Sequence, residues 1–297
     1  MGMWIAAIIP QVGKYLPDAL QGWGVRAVLG QSGTPAWGAL GVSLAGLAMW
    51  AGALTSSGAL AAALLGGLLF GLGGMRYAVL LLLFFITSSG LSRLSGRKKA
   101  GLAEKFAKGS RRDWGQVVAN GGLGALLVVA AALWQDASWI WVAYAGAMAA
   151  VNADTWGTEL GVLSKAAPRL ITTWRSVERG TSGGISLAGT LAALGGALVI
   201  GLAAGWLRPD AGIWITCLAV SLGGLAGSLF DSWLGATWQV IYRCPACQKE
   251  TERHPLHTCG CPTVRLRGWW WLNNDLVNVA CAVMGAGMGV GVWLWLR

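Results

Sequence analysis

Residues 151–190 hold the side chains best suited to chemistry. Asn152, Asp154 and Glu159 stand at the lower end of an apolar run that begins near Trp139. A carboxylate at membrane depth is costly and needs a partner. Lys165, Arg169, Arg175 and Arg179 follow at once, and then Gly180-Thr181-Ser182-Gly183-Gly184, just before the next apolar run. A glycine turn ahead of a helix N-terminus leaves backbone N–H groups to face an anion. Carboxylates for a divalent cation, cations for phosphate and a glycine loop together point to phosphate chemistry at a membrane surface.

The same residue types recur elsewhere at expected helix ends: Gln116 and Asn120, Asp231, and Asn274, Asp275 and Asn278. Phe230-Asp231-Ser232-Trp233-Leu234-Gly235 echoes Ala153-Asp154-Thr155-Trp156-Gly157, as though two helix ends did similar work. Hard oxygen ligands of this kind suit Mg²⁺, which commonly takes one or two carboxylates plus substrate phosphates. The expected Mg²⁺ ligands are Asn152, Asp154, Asp231 and Asp275. Asp154, Asp231, Lys165 and Glu159 are the candidate catalytic groups. Glu159 turns away from the face shared by Asp154 and Thr158, which suits a supporting place. Phosphate contacts are expected from Asn120, Arg111, Arg112, Arg169, Thr181, Ser182, Gly183, Gly184, Asn274 and Asn278. Arg is apt here because its fork can grip two oxygens at once. The hydroxyl run Thr87-Ser88-Ser89-Gly90-Leu91-Ser92 reads more simply, as side chains bonding their own helix backbone.

A second constellation is Cys244-Pro-Ala-Cys247, His254, His257 and Cys259-Gly-Cys261. Cys-x-x-Cys with further Cys and His in a short polar loop reads as a zinc knuckle. Cys244 and Cys247 are firm ligands, and the other two come from His257, Cys259 and Cys261. The metal is expected to be structural, pinning the loop 243–267.

These residues need a scaffold, and composition names it. The 297-residue chain is 55% hydrophobic and 11% charged, with mean hydropathy +0.58; a soluble domain carries about 25% charged residues. The fold expected is all-α, a polytopic membrane protein of about eight transmembrane helices, near 36–54, 57–73, 75–92, 115–134, 138–160, 184–205, 212–240 and 269–296. Residues 1–35, broken by Pro10 and Pro17, read as an interfacial or short re-entrant segment, with one extra span as the alternative, and without the pattern of a signal peptide. Residues 36–297 form one transmembrane domain. Forty-six glycines fit close helix packing. Nineteen tryptophans exceed what an interfacial belt needs.

Net charge is +10, and 17 of the 22 Lys and Arg fall in 93–112, 165–179 and 243–267. That clustering favours three basic cytoplasmic loops beside membrane lipids over a nucleic-acid partner. The polar motifs all adjoin those loops, so the active site is expected at the cytoplasmic face of an inner membrane.

Asn152-Ala-Asp-Thr-Trp-Gly-Thr-Glu-Leu-Gly, Pro168-Arg-Leu-Ile-Thr-Thr, Gly180-Thr-Ser-Gly-Gly-Ile-Ser, Gly227-Ser-Leu-Phe-Asp-Ser-Trp-Leu-Gly-Ala and Asn273-Asn-Asp-Leu-Val-Asn resemble motifs of the DUF92, TMEM19-like integral membrane proteins, as does Gln116-Val-Val-Ala-Asn-Gly-Gly. The resemblance spans about 40–295, and the cysteine cluster stands outside the matching motifs. The family's characterised plant member is a phytyl-phosphate kinase of tocopherol synthesis. The resemblance therefore implies an isoprenoid kinase, a transferase that uses CTP or another nucleotide with Mg²⁺ to turn a prenyl monophosphate into the diphosphate. Two other classes fit the polar residues: a nucleotidyltransferase that makes an activated lipid, and an ion-coupled transporter.

Overall fold

The computed structural model describes residues 34–99, 105, 111–134 and 137–297. Nearly all of the expected segment 1–35 lies outside those residues. Eight α-helices are described: α1 Thr34–Trp50, α2 Ser56–Leu68, α3 Gly74–Lys99, α4 Trp114–Leu133, α5 Ser138–Gly161, α6 Leu187–Leu207, α7 Ile213–Thr237 and α8 Asn274–Leu296. Five two- to four-residue strands lie between them: β1 Arg169–Leu170, β2 Gly184–Ile185, β3 Ile241–Arg243, β4 Glu250–Thr251 and β5 Val264–Arg267.

Among the described residues, five helical segments are long and apolar enough to cross a membrane. One of them, Ser56–Ser95, is 40 residues long. A straight helix of that length spans about 60 Å, roughly twice a bilayer core. The run divides after a π-helical turn, Leu69–Gly73, at Gly74, whose φ of +66° breaks the helix. Both spans expected there thus have their own helix. The helix α1 is shorter, with an apolar stretch of Ala39–Trp50.

Helix α5 does not meet that apolarity test, although a span was expected at 138–160. Its position explains why. Every residue from Ile140 to Ala153 is buried, and α3, α4, α6, α7 and α8 all pack on it. A helix enclosed on all sides faces neighbours, not lipid. Small residues let those neighbours close in: a Cβ added at Gly285 of α8 would meet the Gly146 carbonyl of α5 at 2.6 Å. Around Trp141 and Tyr144 the core is aromatic. Tyr77 sits edge-on to both rings, and the Tyr144 hydroxyl donates to the Tyr77 carbonyl at 2.7 Å.

Several boundaries differ from expectation. The helix expected from 184 starts at Leu187, because Gly184–Ile185 pairs with Arg169–Leu170 as an antiparallel ribbon and Ser186 caps the helix through Gly189 N–H. The helix expected from 269 starts at Asn274, capped by the Asn273 side chain, so Trp269, Trp270 and Trp271 lie outside it. They belong to a ring of exposed tryptophans at one end of the bundle, with Trp114, Trp174 and Trp238. Trp134, Trp139, Trp206, Trp214 and Trp295 are exposed at the helix ends opposite. The tryptophan excess is thus largely two interfacial belts, one at each end.

Candidate functional site

The ends of α3, α5 and α7 and the starts of α4, α6 and α8 line a cavity of about 460 Å³. Asp154, Thr155, Thr158 and Glu159 come from α5, Ser228, Asp231 and Ser232 from α7, and Asn274 and Asn278 from α8. Arg112, Gln116 and Asn120 line it from the start of α4, and Ser92 from the end of α3. The loop Arg179–Ser186 closes one side. The two echoing helix ends meet here, as their pattern suggests: Asp231 lies within electrostatic reach of Asp154 and of Glu252.

Asp231 Oδ2 is buried with no hydrogen-bond partner. A buried carboxylate oxygen without a donor is costly, so such an atom suits a ligand group that arrives from outside the chain. With Asp154 beside it, the donor set fits a hard divalent cation.

Glu159 lines the same cavity but is held from behind. Ser92 Oγ donates to its Oε1 at 2.8 Å, and Ser95 Oγ donates to Oε2. The hydroxyl run of α3 therefore does more than bond its own backbone. Thr87 bonds Leu83 O at 2.8 Å, and it also reaches Asn152 Oδ1 at 3.0 Å.

Asn152 is not in the cavity. Residues two positions apart on an α-helix are about 200° apart around its axis, so Asn152 and Asp154 point to opposite sides. Asn152 is fully buried, its Oδ1 accepting from Thr87 and Ser88 and its Nδ2 donating to Gly196 O at 2.8 Å. It ties α3, α5 and α6 together, and the expected metal-ligand role is corrected to a structural one. Asp275 also lies outside the lining, in the first turn of α8, where a carboxylate complements the helix dipole.

The basic residues divide. Arg112 lines the cavity, and its backbone is clamped by Ala53 O and Thr55 N–H at 3.0 Å each. Its guanidinium lies over Phe84 and Phe85, 5.1 and 5.6 Å from the ring centres. Burial lowers it from its ordinary value to about 10, with Glu159 opposing that fall, so it stays charged at neutral pH. Arg179, noted only for its charge, is the other lining cation. Arg111, Lys165 and Arg169 are absent from the lining, against expectation. Arg111 donates to Leu54 O at 3.1 Å, Arg169 donates to Trp174 O at 3.0 Å, and Lys165 is exposed and accepts through its carbonyl from Arg179.

Thr181, Ser182, Gly183 and Gly184 all line the cavity, but not as an open cradle. Thr181 N–H donates to Glu178 O, and Gly184 N–H to Thr181 O, so those two amides are already used. Gly183 has φ of +83°, and a Cβ there would strike Ala236 of α7. Only glycine lets the loop lie this close to the helix.

The Cys/His segment follows α7 as a three-stranded sheet in the order β4-β3-β5. Ligand atoms of Cys244, Cys247, His257 and Cys259 lie within 4.8 Å of one another. The Cys244 and Cys259 sulfurs are 3.6 Å apart, close to the spacing of two thiolates on tetrahedral zinc, about 3.8 Å for Zn–S bonds near 2.3 Å. The hydrogen bond with His257 leads the effects that pull Cys259 down to about 6, while the bond with Cys259 leads those that push Cys247 up to about 12. Four donors of the right chemistry therefore fit zinc. Cys261 is not among them; its carbonyl accepts from His257 N–H at 3.0 Å.

Besides Arg179, one further residue of consequence has no sequence signal. Glu252 lines the main cavity, and its Oε1 accepts from Ser182 Oγ at 2.7 Å and Gln239 Nε2 at 2.9 Å. A glutamate in a polar loop carries no signal of its own.

A polytopic bundle with a carboxylate-lined cavity at one end is an integral membrane protein, and the motifs narrow it further. The chain matches the model of the family described as integral membrane protein DUF92 over residues 39–286, and it belongs to that family. It is 40% identical to Protein PGR of Arabidopsis thaliana over 198 residues, 59% of this chain and 69% of that one. It is 38% identical to an uncharacterised membrane protein of Methanocaldococcus jannaschii over 63% of this chain and 75% of that one. A further uncharacterised membrane protein, from Synechocystis, is 26% identical over 75% of this chain and 76% of its own. No solved structure matches.

Proposed function

We propose that this protein is a membrane phosphotransferase that converts a prenyl-type monophosphate to its diphosphate at the expense of a nucleoside triphosphate. One observation carries the reading: two pockets of opposite character share a wall. The polar cavity adjoins an apolar pocket of about 100 Å³ among α1 to α4, and Arg112, Gln116 and Asn120 line both. Leu65, Leu69, Phe70, Leu81 and Phe84 line the apolar side. Such a pair suits an amphiphile with a hydrocarbon tail and an anionic head.

In this reading Arg112 and Arg179 hold phosphate oxygens, and Asn120, Asn274 and Asn278 orient them. An acceptor phosphate is already a nucleophile, so no strong base is required. Its oxygen attacks the terminal phosphorus of the triphosphate, the bond to the β-phosphate oxygen breaks, and the diphosphate leaves. Mg²⁺, held by Asp154 and Asp231, would neutralise charge on the phosphates when bound. The protein's own part is positioning and exclusion of water. The described residues of the three basic segments lie at the cavity end, which supports a cytoplasmic site where nucleotide and Mg²⁺ are supplied.

The test uses purified protein in lipid with labelled CTP or ATP and a panel of prenyl monophosphates of different length. Mg²⁺-dependent label in a prenyl diphosphate is the expected result. Label in a nucleotide–lipid adduct would make it a nucleotidyltransferase, and no lipid product with any donor would overturn the reading.

A further inference from the structure

The Cys/His segment lies beside the cavity, and one of its residues reaches in. Cys244 and Cys247 form the turn of the β3–β4 hairpin, where Cys244 N–H donates to Lys249 O at 3.0 Å. Glu252 follows β4 directly, and His257 and Cys259 follow Glu252. The four candidate ligands thus bracket Glu252 in the chain, one pair on each side. Its backbone N–H donates to Lys105 O, and its carboxylate bonds Ser182 and Gln239. Ser182 is next to Gly183, where the loop packs on α7.

We propose that zinc bound by Cys244, Cys247, His257 and Cys259 holds Glu252 against Ser182, making Glu252 a positioning residue for the Gly180–Gly184 loop. Fixing both ends of a short segment removes most of its freedom, so the carboxylate meets Ser182 with little further ordering cost. Free of metal, the segment keeps its short strands and hydrogen bonds but loses the crosslink between the Cys244–Cys247 turn and the His257–Cys259 turn that brackets Glu252. The loop would then lose its only carboxylate tie among the hydrogen bonds described for it. The inference rests on the cavity's architecture and not on the transfer reaction.

Hydrogen exchange in the full chain, in lipid and without substrate, reads the effect at two amides. Thr181 N–H donates to Glu178 O, just before the loop, and Gly184 N–H donates to Thr181 O within it. The expected zinc content is about one per chain. Glu252→Ala should retain the zinc yet speed exchange at these amides by about tenfold or more. Glu252→Gln keeps an oxygen that can accept from Ser182, so it should remain near wild type. Chelation of wild-type protein should reproduce the alanine variant, and zinc added back should reverse it. Absence of zinc after zinc-replete expression would overturn the proposal. So would unchanged exchange in Glu252→Ala, or a loop still protected after complete zinc removal. The measurement needs no turnover, so a failed kinase assay leaves it standing, and a failure here leaves the kinase reading to its own test.

Discussion

Ser92 Oγ and Glu159 Oε1 are joined by a 2.8 Å hydrogen bond between residues 67 positions apart in the chain. Ser95 completes the grip from the same helix. The end of α3 thereby fixes a carboxylate at the rim of the cavity. Removing the acceptor leaves buried hydroxyls without it. Glu159→Ala should lower stability by about 1–3 kcal/mol, and Glu159→Gln by less, because one oxygen remains to accept. Thermal unfolding in a fixed detergent measures both; equal stability for Ala and Gln would refute the contact's role.

Asp231 is the opposite case. Its Oδ2 is buried without a donor, so the carboxylate is costly in the folded chain. Asp231→Asn should leave stability unchanged or raise it by about 1 kcal/mol, while lowering Mg²⁺-dependent transfer by about 10²-fold or more. Near-normal turnover at saturating Mg²⁺ would remove Asp231 from the metal site. Asp154→Asn should lose transfer in the same way, measured in the same assay.

Asn152 should separate from both. Its amide is satisfied by Thr87, Ser88 and Gly196 and points away from the cavity. Asn152→Ala should cost about 2–4 kcal/mol in stability, since partners on two other helices lose a buried bond. The Mg²⁺ concentration for half-maximal activity of the surviving folded protein should stay as in wild type.

Gly183 bears two constraints at once, a φ of +83° and contact with Ala236. Gly183→Ala should reduce transfer strongly. Adding Ala236→Gly should restore only part of it, since it removes the Ala236 methyl but leaves the contacts with the backbone N and Cα of residue 236, and the backbone strain of about 1 kcal/mol persists. Full recovery in the double variant would show that the Ala236 methyl alone matters there.

Cysteines introduced at Ser164 and Thr181, in a background lacking reactive native thiols, should be labelled from the cytoplasmic side alone, with protection by nucleotide and Mg²⁺. Labelling from the outer face would favour a transporter.

Much of this site is legible in the sequence for one reason. A polar side chain inside an apolar run is expensive, so Asn120, Asp154, Asp231, Asn274 and Asn278 announce themselves by position alone. The same logic misplaces Asn152, because cost marks a buried polar group without saying whether a ligand or another helix satisfies it. Counting residues around the helix separates Asn152 from Asp154 but leaves open which of the two faces is the cavity. Glu252 and Arg179 stay hidden because charge in a polar loop costs little. Lys165 and Arg169 are near Asp154 in sequence but not at the cavity in space, because nearness along the chain does not fix where a polar loop runs. The β1–β2 ribbon instead carries Arg169 to the surface.

The burial of α5 has a consequence for how the protein is made. A segment that carries Trp141, Tyr144, Asn152 and Asp154 and lacks an apolar outer face gains little by entering lipid alone. It leaves the ribosome after α3 and α4 but before α6, α7 and α8, so at first only part of its surface has a partner. Its placement in the bundle is therefore expected to be cooperative, completed when the later helices arrive to surround it. Truncation after residue 186 should leave α5 poorly inserted, although its own sequence is intact.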